Sequence, residues 1–324
     1  MEKKMKTVLL LGGFGFLGTN VMKFVDAHMD MRDKFSLPHL SQQYRFIVFD
    51  KFAQHPCGVH FDCVGKTYAG DFTDSHLLEH IFSDNTIDMV IHSLSTTIPV
   101  STSSAKYDVE TNLLPTLDVL GLMVKYGVKD IVFFSTGGAI YGTRDNKPHI
   151  ESDAVYPVSS YGVIKLAIEK YIMQYAQLYE LRPLIVRISN PYGPYHYSMK
   201  QGVINVAIAK AIQKEFIEIW GDGNDKKDYI YVEDFVDILF KLIANNVYNE
   251  VINVGSGQLL SVNEIVEYVK QYEPNFESIH KESQQHDASH FELDTTKLHA
   301  LIGAYSFTDI EQGIFKAYKW VKGL

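Results

Sequence analysis

Four consecutive apolar residues, Val8-Leu9-Leu10-Leu11, run into Gly12-Gly13-Phe14-Gly15-Phe16-Leu17-Gly18, and no other stretch narrows the possible folds as much. A short run that is apolar at every position is what a parallel strand buried on both faces requires. Glycines at 12, 15 and 18 then let the backbone turn tightly and come close to a ligand. Residues 19–27 read as a helix, whose first N–H groups and positive dipole end suit a pyrophosphate. A glycine turn without a ligand is the alternative, but the strand before it and the helix after it favour a dinucleotide site. Gly12, Gly15, Phe16 and Leu17 are the expected contacts in this loop.

The same strand-then-helix rhythm continues. A second strand, Arg45-Phe46-Ile47-Val48-Phe49, ends in Asp50, where an acid can accept from both ribose hydroxyls of an adenosine and repel a 2′-phosphate. That favours NAD over NADP, with Lys51 directly after it as the opposing feature. The distance from Gly18 to Asp50 exceeds the usual roughly 20 residues, so residues 29–43 read as a longer first helix or an added loop. After another short strand comes Gly70-Asp71-Phe72-Thr73-Asp74. Asp71 could accept from an adenine amine with Phe72 beside it, or Asp71 or Thr73 could cap a helix. Asp88-Met89-Val90-Ile91-His92 is a fourth strand, and Leu94 and Ser95 beyond it would run along the cofactor. Residues 109–126 read as a helix with Asn112 near its start, Pro115 in its first turn and Gly127 as its stop. Lys129-Asp130-Ile131-Val132-Phe133-Phe134 is the next strand, delivering Ser135 and Thr136 to its carboxyl end.

The pair Tyr161 and Lys165 then falls on a helix, one turn apart on one face. A free phenol has a pKa of about 10, and a nearby ammonium favours its phenolate, so the pair can act in proton transfer. By chance alone Tyr-x-x-x-Lys is common on solvated helices; the glycine loop and the hydroxyls upstream make it a candidate site. Beyond Arg187 the chain becomes richer in turns, with Asn190-Pro191-Tyr192-Gly193-Pro194, an amphipathic helix over 202–214 and Gly221-Asp222-Gly223 leading to Lys227-Asp228-Tyr229. This half reads as a smaller lid over the sheet edge.

Bulk properties exclude several classes. A net charge of −9 offers no global positive field for nucleic acid or an anionic membrane. No stretch of about 18 apolar residues is present to span a bilayer. The basic start, residues 1–6, precedes too short an apolar run for a signal peptide, and the two cysteines suit a reducing compartment, so a cytoplasmic protein is expected. His55, Cys57, His60 and Cys63 cluster without a compact zinc spacing, and no metal site is expected there.

Taken in order, these motifs resemble the extended short-chain dehydrogenase/reductases, and within them the NAD-dependent nucleotide-sugar epimerases of the UDP-glucose 4-epimerase type. The resemblance runs from about Thr7 to Trp320 and rests on the glycine loop, Asp50, Gly70-Asp71, Asn112, the run Ser135-Thr136-Gly137-Gly138-Ala139-Ile140-Tyr141-Gly142, Tyr161 with Lys165, Asn190 with Tyr192-Gly193-Pro194, and residues 221–234. It implies an α/β, Rossmann-type doubly wound parallel sheet over 1–189, with a segment returning near 228–254, and a mainly substrate-binding lid over 190–324. It implies NAD as cofactor, with Asn112, Ser135, Tyr161 and Lys165 among its contacts. Tyr161 is expected to take the sugar hydroxyl proton as hydride passes to NAD, giving a 4-keto sugar that turns and is reduced on its other face. Lys165 would lower the tyrosine pKa and bond the nicotinamide ribose. Asn190, Val203, Lys227, Gln284 and Asp287 are the expected substrate contacts, with Ser135 and Thr136. A homodimer through the helices around 109–127 and 159–180 is implied too, with Ile168, Ile172, Ala176 and Leu178 as apolar residues that permit it.

The chain departs from its relatives at telling places. Many carry a catalytic Ser or Thr where Gly137 stands, so Thr136, one residue earlier, is the expected hydroxyl, with Ser135 in support. Related 4,6-dehydratases carry an Asp-Glu pair where this chain has Gly137 and Gly138, so elimination of water lacks its acid and base. Lys227 stands where an arginine is usual, and no arginine occurs near Gln284-Gln285-His286-Asp287. Arginine grips a diphosphate as a bidentate fork and lysine only as a point charge, so the nucleotide grip is weaker or rebuilt. The expectation is an NAD-dependent epimerase acting at C4 of a nucleotide sugar. The alternatives are an NAD(P)H-dependent 4-keto-sugar reductase on the same scaffold and a sugar-nucleotide-binding protein without activity.

Overall fold

In the computed structural model the described residues are 5–29, 44–96, 104–142, 147–282 and 290–323. The first half alternates strand and helix: β1 (Lys6–Leu11), α1 (Phe16–Met29), β2 (Tyr44–Asp50), β3 (Val64–Ala69), α2 (Ser75–Asp84) and β4 (Met89–His92). Then come α3 (Ala105–Asp108), a π turn (Val109–Leu113), α4 (Leu114–Tyr126), β5 (Asp130–Thr136), α5 (Ser160–Tyr179) and β6 (Arg182–Ile188). The second half holds β7 (Asn190–Tyr192), α6 (Val203–Ile212), β8 (Ile217–Trp220), β9 (Lys226–Tyr231), α7 (Val232–Ala244) and β10 (Glu250–Val254). It closes with β11 (Leu259–Leu260), α8 (Val262–Lys270), β12 (Ser278–Lys281), β13 (His290–Phe291), α9 (Thr296–Ile302) and α10 (Ile310–Lys322).

Seven strands form one parallel sheet in the order β10-β6-β5-β4-β1-β2-β3. The apolar run of β1 explains why it lies in the middle. Val8 and Leu10 point into one core with Val21 and Met22 of α1 and with Phe235 and Leu239 of α7. Leu9 and Leu11 point into the other with Leu78 of α2, Val119 of α4 and Ile164 of α5. A strand covered on both faces has no polar side to show, hence the unbroken run. Ile168 and Ile172, read as permitting a dimer, belong to this second core and are 2% and 0% exposed. Leu178, one of the other two, is exposed.

The doubly wound sheet of the expectation is thus present. Its last strand, β10, and the covering helix α7 come from the second half of the chain. The remaining elements gather around β9, which pairs with β7 along Tyr229–Tyr231 and with β11 and β13 nearer its start. Their core joins α6, α8 and α10 through Ile204, Ile208, Ile265, Val269 and Ile314.

Several boundaries shift. The first helix begins at Phe16 rather than near residue 19, so the glycine turn feeds directly into it. The helix expected from 109 starts at Ala105 and passes through the π turn before Pro115. There Leu114 N–H donates to the Val109 carbonyl, five residues back, so the ladder changes phase ahead of a residue that has no N–H. Neither Asp71 nor Thr73 caps α2; Asp74 does, its carboxylate accepting from Leu77 N–H at 3.0 Å.

Candidate functional site

Along the carboxyl edge of the large sheet lies a cleft of about 760 Å³. Open parallel sheets bind ligands at this edge, because helix N-termini and strand ends converge there. Gly12 takes φ +78°, and a Cβ on it would fall 2.8 Å from the Leu94 Cα, so only glycine lets the first turn pass so close beneath the β4 end. Gly15, Phe16 and Leu17 line the cleft beside it. The first turn of α1 holds no acidic side chain, which leaves its positive end open to a phosphate.

Asp50 ends β2 in the same cleft and is 7% exposed. Its carboxylate accepts from Phe14 N–H at 3.0 Å and from Phe52 N–H at 3.3 Å, so the second strand grips the glycine loop. Burial raises its carboxyl above the usual carboxylate range, against those bonds. Lys51 lines the cleft too, its ammonium 4.9 Å above the Phe52 ring. Asp71, Phe72, Leu94 and Ser95 complete this end. The Asp71 carboxylate accepts from Thr73 N–H at 2.9 Å and Thr73 Oγ1 at 2.7 Å, which shapes its own turn.

Asn112 stands one layer behind the cleft. Its Oδ1 accepts from Thr96 N–H at 2.8 Å and its Nδ2 donates to Thr96 Oγ1 at 2.7 Å. It therefore holds the 93–96 wall in place rather than lining the cleft itself.

At the other end, Ser135 and Thr136 from β5 meet Tyr161 and Lys165 from α5, and Asn190 from β7. Ser159 caps α5 by accepting from Gly162 N–H at 3.1 Å, which sets Tyr161 in the first turn. The expectation for the tyrosine is reversed here: burial pushes its phenol up to about 12. The ammonium expected to offset that burial turns elsewhere. Lys165 Nζ donates to the Phe134 carbonyl at 2.9 Å and lies 5.8 Å from the Tyr161 ring centroid. Burial in turn lowers Lys165 to about 8. Ser135 also differs from its expected part. Its hydroxyl donates to Glu169 Oε1 at 2.5 Å, so although both residues line the cleft the Ser135 hydroxyl is already engaged. Asn190 Nδ2 donates to the Asp228 carbonyl at 2.8 Å.

Val203 and Lys227 do not line the cleft; Gly202, just before Val203, does. Lys227 sits within β9, opposite Leu260 and Phe291. Gln284 and Asp287 lie outside the described residues. The His55 to Cys63 cluster does not converge: Cys57 is exposed, Cys63 is buried, and among the described residues no three His, Cys, Asp or Glu side chains group to hold a metal ion.

Sequence reasoning missed His196. It lines the cleft at 7% exposure, its ring 4.5 Å from the Phe16 ring. Burial lowers it to about 4, so it is neutral near pH 7. It follows a turn-rich segment with no period to flag it. Thr96, Tyr107 and Gln201 were missed likewise.

A parallel sheet with a glycine turn, an acid after its second strand and hydroxyls at a later strand end defines a Rossmann-type cofactor-binding α/β protein. The comparisons narrow this. The chain belongs to the NAD dependent epimerase/dehydratase family, whose model matches residues 8–255, and its cofactor is NAD. A Methanocaldococcus jannaschii protein bearing a provisional UDP-glucose 4-epimerase name is 31% identical over 320 residues, 97% of this chain and 98% of that one. An Escherichia coli dTDP-4-dehydro-6-deoxyglucose reductase is 27% identical over 333 residues, 99% of each. Among solved structures, a Thermotoga maritima UDP-glucose 4-epimerase with UDP-glucose superposes with a TM-score of 0.85 at 28% identity, covering 98% of this chain and 99% of that one.

Proposed function

We propose that this protein is an NAD-dependent epimerase acting at C4 of a nucleotide sugar through a transient 4-keto sugar. The observation that carries the reading is the meeting of Thr136, Tyr161 and Lys165 in the cleft that also holds the glycine turn and Asp50. Gly12, Gly15 and the α1 N-terminus would hold the pyrophosphate of NAD, Asp50 its adenosine ribose, and Lys165 its nicotinamide ribose. NAD, once bound, would supply a reversible hydride acceptor and, in its oxidised form, a positive charge. Tyr161, raised by burial in the free chain, becomes a phenolate when cationic charge gathers beside it, and then takes the proton of the C4 hydroxyl. Thr136 donates a hydrogen bond to the same oxygen as it becomes a carbonyl. The keto sugar would turn to present its other face to the returning hydride, and Tyr161 would give the proton back to the C4 oxygen. Gly137 and Gly138 offer no acid or base for loss of water, which argues against a dehydratase.

The nucleotide's diphosphate is assigned to the Gln201–Gly202 end, where α6 begins, rather than to Lys227. Residues 190–324 would act mainly as a lid over 1–189, with 228–254 returning to the sheet. A homodimer is proposed through exposed apolar side chains: Leu114 on α4, and Val163, Tyr171 and Leu178 on α5. No helix among the described residues is long and apolar enough to cross a membrane, and a cytoplasmic location is proposed.

The second reading, a 4-keto-sugar reductase, is favoured by the Escherichia coli relative. Incubation with a panel of UDP- and dTDP-sugars, followed by NMR at C4, tests both. Inversion at C4 with no net NADH consumption supports the epimerase; stoichiometric consumption of NAD(P)H with a keto sugar supports the reductase. Tyr161→Phe should lower kcat about 10²–10⁴-fold on the substrate so found, and unchanged kcat would rule the proton-transfer role out.

A further inference from the structure

Tyr161, Lys165 and Glu169 recur every four residues along one face of α5. Glu169 is 2% exposed, a depth at which a carboxylate needs partners. Arg187 of β6 supplies a fork, Nη2 donating to Oε2 at 2.7 Å and Nε to Oε1 at 3.1 Å, and Ser135 Oγ donates to Oε1. Arg187 Nη1 donates to the Tyr141 hydroxyl at 2.8 Å, and that hydroxyl donates to Asn253 Oδ1 of β10 at 2.7 Å. Glu169 is thus tied to β5 and β6 directly and to β10 through Tyr141. Two neighbouring residues of β5 meet the two successive turns of α5: the Phe134 carbonyl takes Lys165 and the Ser135 hydroxyl takes Glu169.

We infer that Glu169 is a positioning residue for this site: its carboxylate keeps Lys165 charged inside the protein and engages the Ser135 hydroxyl, leaving that of Thr136 to the substrate. This rests on the reading of Tyr161 and Lys165 given above. A brace for packing alone would gain little from charge, since a buried ion pair is often replaceable by apolar side chains. What sets this pair apart is the ammonium one turn away. Burial lowers Lys165, and the Glu169 charge works the other way. α5 packs against α3 with Lys106, Tyr107 and Asp108, the π turn with Glu110, α4 with Asp118, Lys125 and Tyr126, β5 with Asp130 and β6 with Arg182 and Arg187, and His92 of β4 and Tyr141 after β5 lie close to this face. Burial drives His92 down to about 3, so it is neutral and brings no counter-charge, and Arg187 is a cation. Glu169 is the carboxylate one turn from Lys165 on the same face of α5, and its charge is the one that offsets the burial of the ammonium.

The test reads Lys165 itself, in the full chain carrying 13C at the lysine Cε, with its NMR signal assigned by loss in Lys165→Met. Glu169→Gln should move the titration midpoint of that signal down by about one unit or more, and Glu169→Asp, which keeps the charge but draws it back, by less. The alkaline limb of the kcat–pH profile should move the same way. A midpoint in Glu169→Gln equal to that of the wild type overturns the inference, and so does an Asp variant shifted as far as the Gln variant. If Glu169→Gln does not fold, the Asp variant decides alone: a lower midpoint supports the inference and an unchanged one overturns it. Because the titration needs no turnover, it can fail while the Tyr161→Phe experiment succeeds, and the reverse.

Discussion

Asp228 is fully buried, its Oδ1 accepting from Ser256 N–H at 3.1 Å and Gly257 N–H at 3.2 Å. Burial nevertheless pushes its carboxyl up to about 7 from an ordinary 3.8. The folded protein therefore keeps this proton up to about pH 7, while the unfolded chain loses it near pH 4. Between those values the folded state binds more protons, so stability falls as pH rises, and the contribution present below pH 4 is gone above pH 7. Asp228→Asn resembles the protonated form and removes this slope. Urea unfolding at pH 5 and pH 8 should show the variant gaining on the wild type at pH 8 by on the order of 2 kcal/mol; an equal difference at both values would sink the assignment. At this scale the sequence is readable where a residue's role is local. Asp50 could be placed from the end of its own strand. The engagement of Ser135 by Glu169, and the entry of His196 into the cleft, depend on partners distant in the chain, and no local pattern encodes them.

The first turn of α5 presses on the loop after β5. A Cβ on Gly162 would lie 2.2 Å from the Ala139 carbonyl oxygen, so any side chain there pushes the helix start outward. Tyr161 would move with it, away from Thr136. Gly162→Ala is expected to cost about 10²-fold in kcat, the scale of an ångström's misplacement, with the helical circular dichroism unchanged. Full activity in the variant would mean that the helix and loop can part without harm. Whole elements were legible where apolar period and length agree, as in β1, β2, β4 and β5 with the helices between them. The π turn was not, because one extra residue breaks the 3.6 period that reveals a helix. The two-residue strands β11 and β13 were not legible either, since two residues carry no period.

The molecule as a whole joins a large sheet covered on both faces to a smaller group of strands and helices around β9. The exposed apolar residues of α4 and α5 lie outside both cores, and their burial against a second copy is the proposed reason for them. Sedimentation should give about twice the 36.8 kDa chain mass, and Tyr171→Asp should return it to the single-chain value. A wild-type monomer at micromolar concentration would remove the dimer.

The sheet order places β10 beside β6, although residues 189–249 separate them in the chain. During synthesis at about 5–20 residues per second, that stretch takes about 3–12 s to emerge. Through that interval β6 stands as a bare edge on an otherwise assembled sheet, with its backbone N–H and carbonyl groups open to any passing strand. The nascent chain must keep this one edge from pairing with a neighbour until its own β10 arrives.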